Sequence, residues 1–260
     1  MSQQPKYRIY ATLLDAFMQL ERAEVVWEKY YGFSQEPPCT PEEFREKLEK
    51  ELIDRVNRVP FESEAADRGT AFNEVVDALI ENRKPKMMEV ERTTDLQYLV
   101  RFNGHEFKFP IQLCVDMAVM YKDALTQRRV SGVMSTGYGD VELYGVIDEL
   151  MPMAVHDIKT TGSYSMGKYK YNNQHLVYPW ALRMMGVDIT TFHYDVVEMG
   201  KPRKDGTCSV ERFRETYVYD HERDEKVLRD RVEDFVAWLE MHRAEITDKK
   251  IFGNEVNNDD

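Results

Sequence analysis

Gly145-Val-Ile-Asp148-Glu-Leu-Met-Pro-Met-Ala-Val-His-Asp157-Ile-Lys159-Thr-Thr161 is the stretch that decides the fold, because it predicts two short apolar strands joined by a Met-Pro-Met turn. Alternate side chains of a strand share a face, so Asp157 and Lys159 are expected to point the same way. Asp148 ends the preceding strand and is expected to lie beside them. Two carboxylates and an ammonium group are costly to bury on apolar strands unless they pair or bind a metal. The stretch therefore favours a functional site.

The three charged groups suit metal-assisted hydrolysis of a phosphodiester. Carboxylate oxygens are hard ligands for Mg²⁺ or Mn²⁺, and Mg²⁺ commonly takes one or two of them beside waters and phosphate oxygens. Asp148 and Asp157 would supply this pair, and Lys159 would orient the attacking water or stabilise developing negative charge. The alternative is a structural ion pair at a sheet edge, since Asp-x-Lys is common by chance. The preceding Gly145-Val-Ile-Asp148 favours the site.

These two blocks, followed by Gln174-x-x-x-Tyr178, resemble the PD-(D/E)XK nuclease superfamily in order and spacing, and more narrowly its RecB-type and phage-exonuclease branch. The resemblance is sharp over residues 141–182 and extends over about 67–220. It implies an α/β fold with an α/β/α restriction-endonuclease-like core and a central mixed, largely antiparallel sheet. It also implies a nuclease that depends on Mg²⁺ or Mn²⁺. By the family pattern the metal ligands would be Asp148, Asp157 and the backbone carbonyl of Ile158, and Lys159 would be the catalytic lysine.

Gln174 and Tyr178 are four residues apart on a helical pattern, so they share a helix face. In the related nucleases this face turns toward the site and the nucleic-acid backbone; the alternative is a helix-surface pair with the tyrosine in the core. Lys168, Tyr169 and Lys170 interleave cations with aromatic rings directly after the proposed active strand. We expect this strip to contact nucleic acid as well.

The sequence does not decide which residue is the third protein ligand of the metal. Relatives carry Gly-Thr-x-x-His on an earlier helix, with the histidine helping to bind metal, whereas this chain has Asn73 at that position, followed by Glu74. Asn73, Glu74 or a water would serve, or both residues would lie on a solvated helix face. Some RecB-type relatives also hold an iron–sulfur cluster on four cysteines. This chain has 3 cysteines, so no such cluster is expected.

Composition limits the class of protein. The chain has 260 residues, 42% hydrophobic and 12% aromatic, with no apolar run of membrane-spanning length and no signal-peptide core, so a cytoplasmic protein without a membrane partner is expected. Its net charge of −12 argues against a protein that coats DNA through a general positive charge. The local basic strip formed by Lys168 and Lys170 is still able to bind a strand of nucleic acid.

Three segments are predicted along the chain. Residues 1–66 form an N-terminal helical region packed on the core, with helical spacing over residues 6–31 and a capping box that begins at Thr40. Residues 67–250 form the nuclease core, in which Asn103-Gly104 marks a β-hairpin. Residues 251–260 form an acidic tail.

The sequence thus predicts a divalent-metal-dependent deoxyribonuclease, more narrowly an exonuclease or DNA-end processor of recombination and repair. A catalytically silent nucleic-acid-binding or assembly subunit with the same fold is the first alternative, and an endonuclease is the second. The partners expected are DNA, as a single strand or as duplex ends, and either further copies of the chain or a recombination protein. Cleavage polarity and oligomeric state are left open.

Overall fold

A six-stranded mixed sheet forms the centre of the computed structural model, which describes residues 4–201 and 208–253. A second sheet of three strands lies beside it. The strands, in chain order, are β1 (Tyr7–Tyr10), β2 (Glu89–Arg92), β3 (Gln97–Phe102), β4 (His105–Pro110), β5 (Leu125–Thr136), β6 (Gly139–Leu150), β7 (Ala154–Thr161), β8 (Thr191–Met199) and β9 (Val210–Val218).

The central sheet has the order β1-β6-β7-β8-β9, with β5 along the edge of β6. The pairs β5–β6, β6–β7 and β8–β9 are antiparallel, and β1–β6 and β7–β8 are parallel. The small sheet has the order β2-β3-β4 and is antiparallel throughout. The expectation of a mixed central sheet with more antiparallel than parallel pairs is therefore confirmed.

Seven α-helices accompany the sheets in the described ranges. They are α1 (Ala11–Glu21), α2 (Ala23–Tyr31), α3 (Pro41–Val56), α4 (Glu64–Ile80), α5 (Ile111–Met120), α6 (Gln174–Met184) and α7 (Arg223–Met241). The capping box predicted at the start of α3 is present: Thr40 accepts a hydrogen bond from the backbone of Glu43, whose side chain accepts one in return. None of these helices is long and apolar enough to cross a membrane.

Helices pack on both faces of the central sheet and form two hydrophobic cores. The larger core joins α1, α3, α6 and α7 to one face, and the smaller core joins α4, α5 and the β3–β4 hairpin to the other. The side chains of β7 alternate between the two faces of the sheet: Val155 lies in the larger core and Ile158, three residues later, in the smaller one. The side chains of β7 therefore reach two separate environments.

The first strand differs from expectation. Residues 7–10, which the helical spacing placed in the first helix, form β1 and pair with residues 141–144 of β6. Helix α4 begins at Glu64, since Ser63 caps it by accepting the backbone N–H of Ala66. The N-terminal region thus contributes a strand to the central sheet as well as helices.

One further prediction, the hairpin, agrees with the structure, and another, the start of the acidic tail, does not. The hairpin at Asn103-Gly104 is confirmed, with Phe102 paired to His105. At the C-terminal end Ile251 and Phe252, which were expected in the acidic tail, are buried, and the Phe252 ring lies 6.1 Å from that of Tyr7. Residues 254–260 of that tail lie outside the described residues.

Candidate functional site

Strands β6 and β7 pair over only two residue pairs and then separate, and the candidate site begins at that point. Glu149 pairs with His156 and Leu150 with Val155. Beyond them the carboxylate of Asp148 replaces the strand ladder, because its Oδ2 accepts the backbone N–H of Ile158 at 2.9 Å. The Asp148 side chain thus lies between the two strands, beside the residue that follows Asp157.

Asp157 and Lys159 share the face of β7 that turns toward α6, as the strand alternation predicts. Lys159 Nζ lies 2.6 Å from Asp157 Oδ2. Asp157 is 2% exposed, whereas the Lys159 side chain keeps 24% of its surface exposed. The carboxylate is therefore enclosed by the core, whereas part of the Lys159 side chain is open to solvent.

Gln174, the first residue of α6, contacts both members of this pair. Its Oε1 accepts a hydrogen bond from Lys159 Nζ at 2.8 Å, and its Nε2 donates to Asp157 Oδ1. Nε2 also lies 3.2 Å from the hydroxyl oxygen of Tyr178. The predicted helix face thus turns toward the site, and Gln174 fixes the relative position of carboxylate and ammonium.

The predicted Tyr178 contact lies in the core rather than at the surface. Tyr178 is 3% exposed, and its ring packs on the backbone of Gly145. A Cβ at position 145 would lie 2.4 Å from Tyr178 Cε1, so only glycine fits there. This packing explains the glycine of Gly145-Val-Ile-Asp148 and brings α6 against β6 just before the site.

The electrostatics of the site favour an added positive charge. Burial first, and then the charge of Asp157, raise the pKa of Asp148 to about 8. Burial also raises the pKa of Asp157, although Lys159 opposes that rise. The pKa of Lys159 is raised, because the charges of Asp157 and Asp148 outweigh the effect of burial. One ammonium group therefore leaves two carboxylates incompletely neutralised.

Asn73 Oδ1 lacks a hydrogen-bond donor among the described residues. Asp157 Oδ2 has the Lys159 ammonium group, at 2.6 Å, as its partner. Asn73 Nδ2 lies 3.2 Å from Asp148 Oδ2, so α4 reaches the site through this residue. Oxygen atoms without donors beside paired carboxylates are suitable ligands for Mg²⁺ or Mn²⁺.

The second candidate for the third ligand is already occupied. Glu74 is held by Arg83, whose Nη2 donates to its Oε2 at 3.1 Å, and by the backbone N–H of Lys86. Asn73 rather than Glu74 therefore contacts the carboxylate pair. Within residues 4–201 and 208–253, no three His, Cys, Asp or Glu side chains converge to hold a metal. Mg²⁺ needs only one or two carboxylates, so the pair still fits that ion.

The predicted nucleic-acid strip that follows β7, residues 168–170, lies partly at the surface and partly in the core. Lys168 and Lys170 are exposed, and Lys168 Nζ donates to Thr161 Oγ1 at 2.6 Å. Tyr169 is 9% exposed, and its ring lies 5.1 Å from that of Tyr194. The two lysines are accessible to a nucleic acid in this arrangement. Tyr169 instead packs on Tyr194, whose ring centre lies 5.6 Å from Lys159 Nζ.

Asp15 of α1 is a site residue that the sequence did not reveal. Its Oδ1 accepts hydrogen bonds from the backbone and the side chain of Asn173, the residue before α6. Burial raises the pKa of Asp15 to about 6, the Asn173 bonds and Lys159 oppose the rise, and Asp157 adds to it. The only sequence signal is an acidic residue inside the apolar run Leu13-Leu14-Asp15-Ala16-Phe17.

A second pair of carboxyl groups lies behind Asp148. Glu149 is 0% exposed and Asp77 of α4 is 1% exposed, and Gln127 Nε2 donates to Asp77 Oδ2 at 3.0 Å. Burial first and Asp77 second raise the pKa of Glu149 to about 10. The pair therefore carries a proton at neutral pH. Asp77 lies four residues after Asn73 on α4. This spacing indicates that the two side chains share a helix face.

Comparisons with known proteins assign this chain to no family. No protein-family model matches it, and no curated protein matches it. A solved structure described as the crystal structure of SSO0001 aligns with 87% of this chain and 75% of its own chain, at 11% sequence identity and a TM-score of 0.38. A likeness this weak supports no conclusion, so the function has to be argued from the site.

Proposed function

We propose that this protein is a Mg²⁺- or Mn²⁺-dependent nuclease that hydrolyses DNA phosphodiester bonds, as an exonuclease or a DNA-end processor, on a PD-(D/E)XK type of core. The observation that carries the proposal is the convergence of Asp148, Asp157 and Lys159 where β6 and β7 separate. Helices on both faces of a mixed sheet are consistent with a restriction-endonuclease-like core.

The donor set fits a divalent cation. Asp148 and Asp157 would hold it, with the Asn73 side-chain oxygen and the Ile158 carbonyl as further oxygen ligands. A bound Mg²⁺ or Mn²⁺ would supply an acidified water and would neutralise charge on the phosphate that is cut. The raised pKa of Asp148 agrees with this assignment, because a cation would stabilise the ionised form that burial disfavours.

Lys159 acts as a cation in this proposal. Its ammonium group is kept protonated by the neighbouring carboxylates, so it donates hydrogen bonds rather than removing a proton. The Gln174 amide and Asp157 fix its direction. With a quarter of its surface open, Lys159 is able to reach a phosphate oxygen and stabilise the charge that develops there.

The test is cleavage of end-labelled linear DNA across a titration of Mg²⁺ and of Mn²⁺. We expect metal-dependent cleavage by the wild type and a loss of at least about a thousandfold in Asp157→Asn and Lys159→Met. Asp230→Asn, which changes an exposed carboxylate on α7, is the matched control and keeps full activity. Comparing open linear DNA with closed circles separates an exonuclease from an endonuclease.

A catalytically silent nucleic-acid-binding subunit is the second candidate. It is favoured by Asn73, a neutral and weaker ligand than histidine, and by the limit of two carboxylates at the centre of the described site. Equal products from the wild type and Asp157→Asn at every metal concentration would establish this candidate in place of the nuclease.

A further inference from the structure

The outer face of strands β1, β6 and β5 is open to solvent. The inward residues of these strands, such as Val130 and Leu143, are at most 1% exposed, whereas outward Val133 and Val146 are 51% and 44% exposed. The described helices therefore cover one side of this part of the sheet and leave much of the other side uncovered. An uncovered sheet face with fixed side chains is a ready binding surface.

Aromatic rings and guanidinium groups occupy this face together. Arg8 and Arg129 lie 5.8 and 5.6 Å from the centre of the Tyr144 ring. The ring of Tyr10 lies 6.1 Å from that of Tyr144. We call these four residues the arginine–tyrosine face. They come from β1, β5 and β6, so the sheet holds them in a fixed arrangement.

The arginine–tyrosine face offers one guanidinium group without an ion-pair partner among the described residues, although the chain is acidic. Arg129 has no carboxylate within ion-pair distance among the described residues, while Arg8 pairs with Glu142 at 2.7 Å. Burial raises the pKa of Tyr10, Tyr144 adds to the rise, and the positive charges of Arg55 and Arg58 oppose it. Two more guanidinium groups therefore lie near Tyr10, and one of them, that of Arg58, pairs with Asp248 at 3.1 Å.

The face leads directly to the candidate site. Tyr144 and Val146 are alternate residues of β6 on one side of it, and Asp148 follows two residues later, where the pairing with β5 is interrupted. At the strand rise of about 3.3 Å per residue, Tyr144 lies about 13 Å along the strand from Asp148. A chain that lies along the outer side of β6 would thus pass from the arginine–tyrosine face toward Asp148, where β6 and β7 separate.

We propose that the arginine–tyrosine face binds single-stranded nucleic acid and holds it along β6 next to the Asp148–Asp157 site; only the direction toward that site rests on the proposed nuclease function. Bases stack on tyrosine rings and on guanidinium planes, and arginines attract the phosphates. A duplex keeps its base faces stacked internally and offers none to Tyr144. A protein partner would need a larger apolar centre than Val133 and Val146 provide.

The experiment measures fluorescence anisotropy of a labelled single-stranded oligothymidine with the full chain in EDTA, where no metal supports cleavage. We expect Tyr144→Leu to weaken binding about fivefold to a hundredfold, and Tyr144→Phe, which keeps the ring, to bind within about twofold of the wild type. Arg129→Gln should weaken binding and reduce the salt-dependence slope by about 0.7. Arg92→Gln removes an equal charge from an exposed position on β2, in the other sheet, and should change neither.

Thermal unfolding of each variant identifies those that are folded, and Arg129→Gln provides the second variant that removes a group of the face if Tyr144→Leu is unstable. Equal binding by the wild type and folded Tyr144→Leu, no binding by the wild type, or equally ring-dependent binding of duplex would each overturn the proposal. Ring-dependent binding without any cleavage would reject the nuclease and support the face. Metal-dependent cleavage with unchanged binding in Tyr144→Leu would support the nuclease and reject the arginine–tyrosine face as a binding surface.

Discussion

Gln174 Oε1 accepts a hydrogen bond from Lys159 Nζ at 2.8 Å, and the nitrogen of the same amide donates to Asp157. An amide is suited to this position because it offers an acceptor to the ammonium group and a donor to the carboxylate. A glutamate would place a third carboxylate there, and an apolar residue would leave both charged groups without one of their partners. Gln174 is therefore a positioning residue for the proposed reaction.

Gln174→Met should lower kcat about tenfold to a hundredfold with little change in KM, because partners that orient charged groups commonly contribute this much. The measurement is steady-state cleavage of linear DNA at saturating metal. Gln174→Glu should be more severe, since it adds negative charge beside Asp157. Wild-type kcat in both variants would mean that Lys159 is oriented without the amide.

Asp148→Asn should stabilise the metal-free protein at alkaline pH. The folded-state pKa of Asp148 is about 8, above its unfolded value, so the wild type loses stability as pH rises toward and through 8. The asparagine does not ionise and keeps an oxygen for the Ile158 N–H, so we expect it to be about 1–3 kcal/mol more stable at pH 9. Urea unfolding in EDTA at pH 5 and pH 9 measures the difference, which should be small at pH 5.

Adding metal should reverse this order. A ligand that binds only the folded state at a hundred times its Kd stabilises it by about 2.7 kcal/mol. We expect Mn²⁺ to raise the Tm of the wild type and to leave that of Asp148→Asn nearly unchanged. Similar shifts in the two proteins would show that the ion binds elsewhere, and Asp230→Asn serves as the control for surface binding.

Asn73 and Glu74 should differ in their effect on metal affinity. Asn73 lies against Asp148, whereas Glu74 is engaged by Arg83. Asn73→Ala should weaken Mn²⁺ binding by about tenfold, Asn73→His should restore or tighten it, and Glu74→Gln should leave it within about twofold. Isothermal titration with Mn²⁺ measures all three. A larger loss in Glu74→Gln than in Asn73→Ala would assign the ligand role to Glu74.

Gly145→Ala should destabilise the protein by about 1–3 kcal/mol, because the new methyl group would lie 2.4 Å from the Tyr178 ring. Tyr178→Leu removes the ring atoms that clash. The double variant should therefore be more stable than the sum of the two single losses predicts, and a double-mutant cycle by urea unfolding measures the coupling. Additive losses would place the strain at another contact of Gly145.

The sequence specified the centre of the molecule well because local rules and tertiary packing agree there. The Asn103-Gly104 turn fixes its hairpin through backbone conformation alone, and alternation along β7 places Asp157 and Lys159 on one face. The helix that carries Gln174 was also expected. These features depend on residues that are close in sequence, so their spacing is sufficient to predict them.

Other parts of the site depend on contacts between distant segments. Tyr7–Tyr10 is followed without a break by helical spacing, and only its pairing with β6 makes it a strand. Asp15 reaches the site because α1 packs beside the start of α6, more than 150 residues later. The burial of Tyr178 follows from its contact with Gly145. The spacing of residues within one segment does not predict these contacts between distant segments.

His175 should make the stability of the fold depend on pH. It is 9% exposed, and burial together with the charge of Arg231 lowers its pKa to about 4. The unfolded chain has a histidine pKa near 6.5, so it binds a proton that the folded state excludes. Stability is therefore fully present above pH 6.5 and is lost as pH falls toward 4, by at most about 3 kcal/mol.

His175→Phe isolates this contribution, since phenylalanine keeps a ring against Tyr217, whose centre lies 4.3 Å from that of His175. His175 Nδ1 has no hydrogen-bond partner in the described part of the chain, so that atom loses no bond in the exchange. Urea unfolding in EDTA from pH 4 to pH 8 should show a shallower decline for the variant than for the wild type. His193, whose pKa burial also lowers to about 4, is unchanged in both proteins and cancels in the difference. Parallel curves across this range would show that His175 accepts its proton in the folded state without cost.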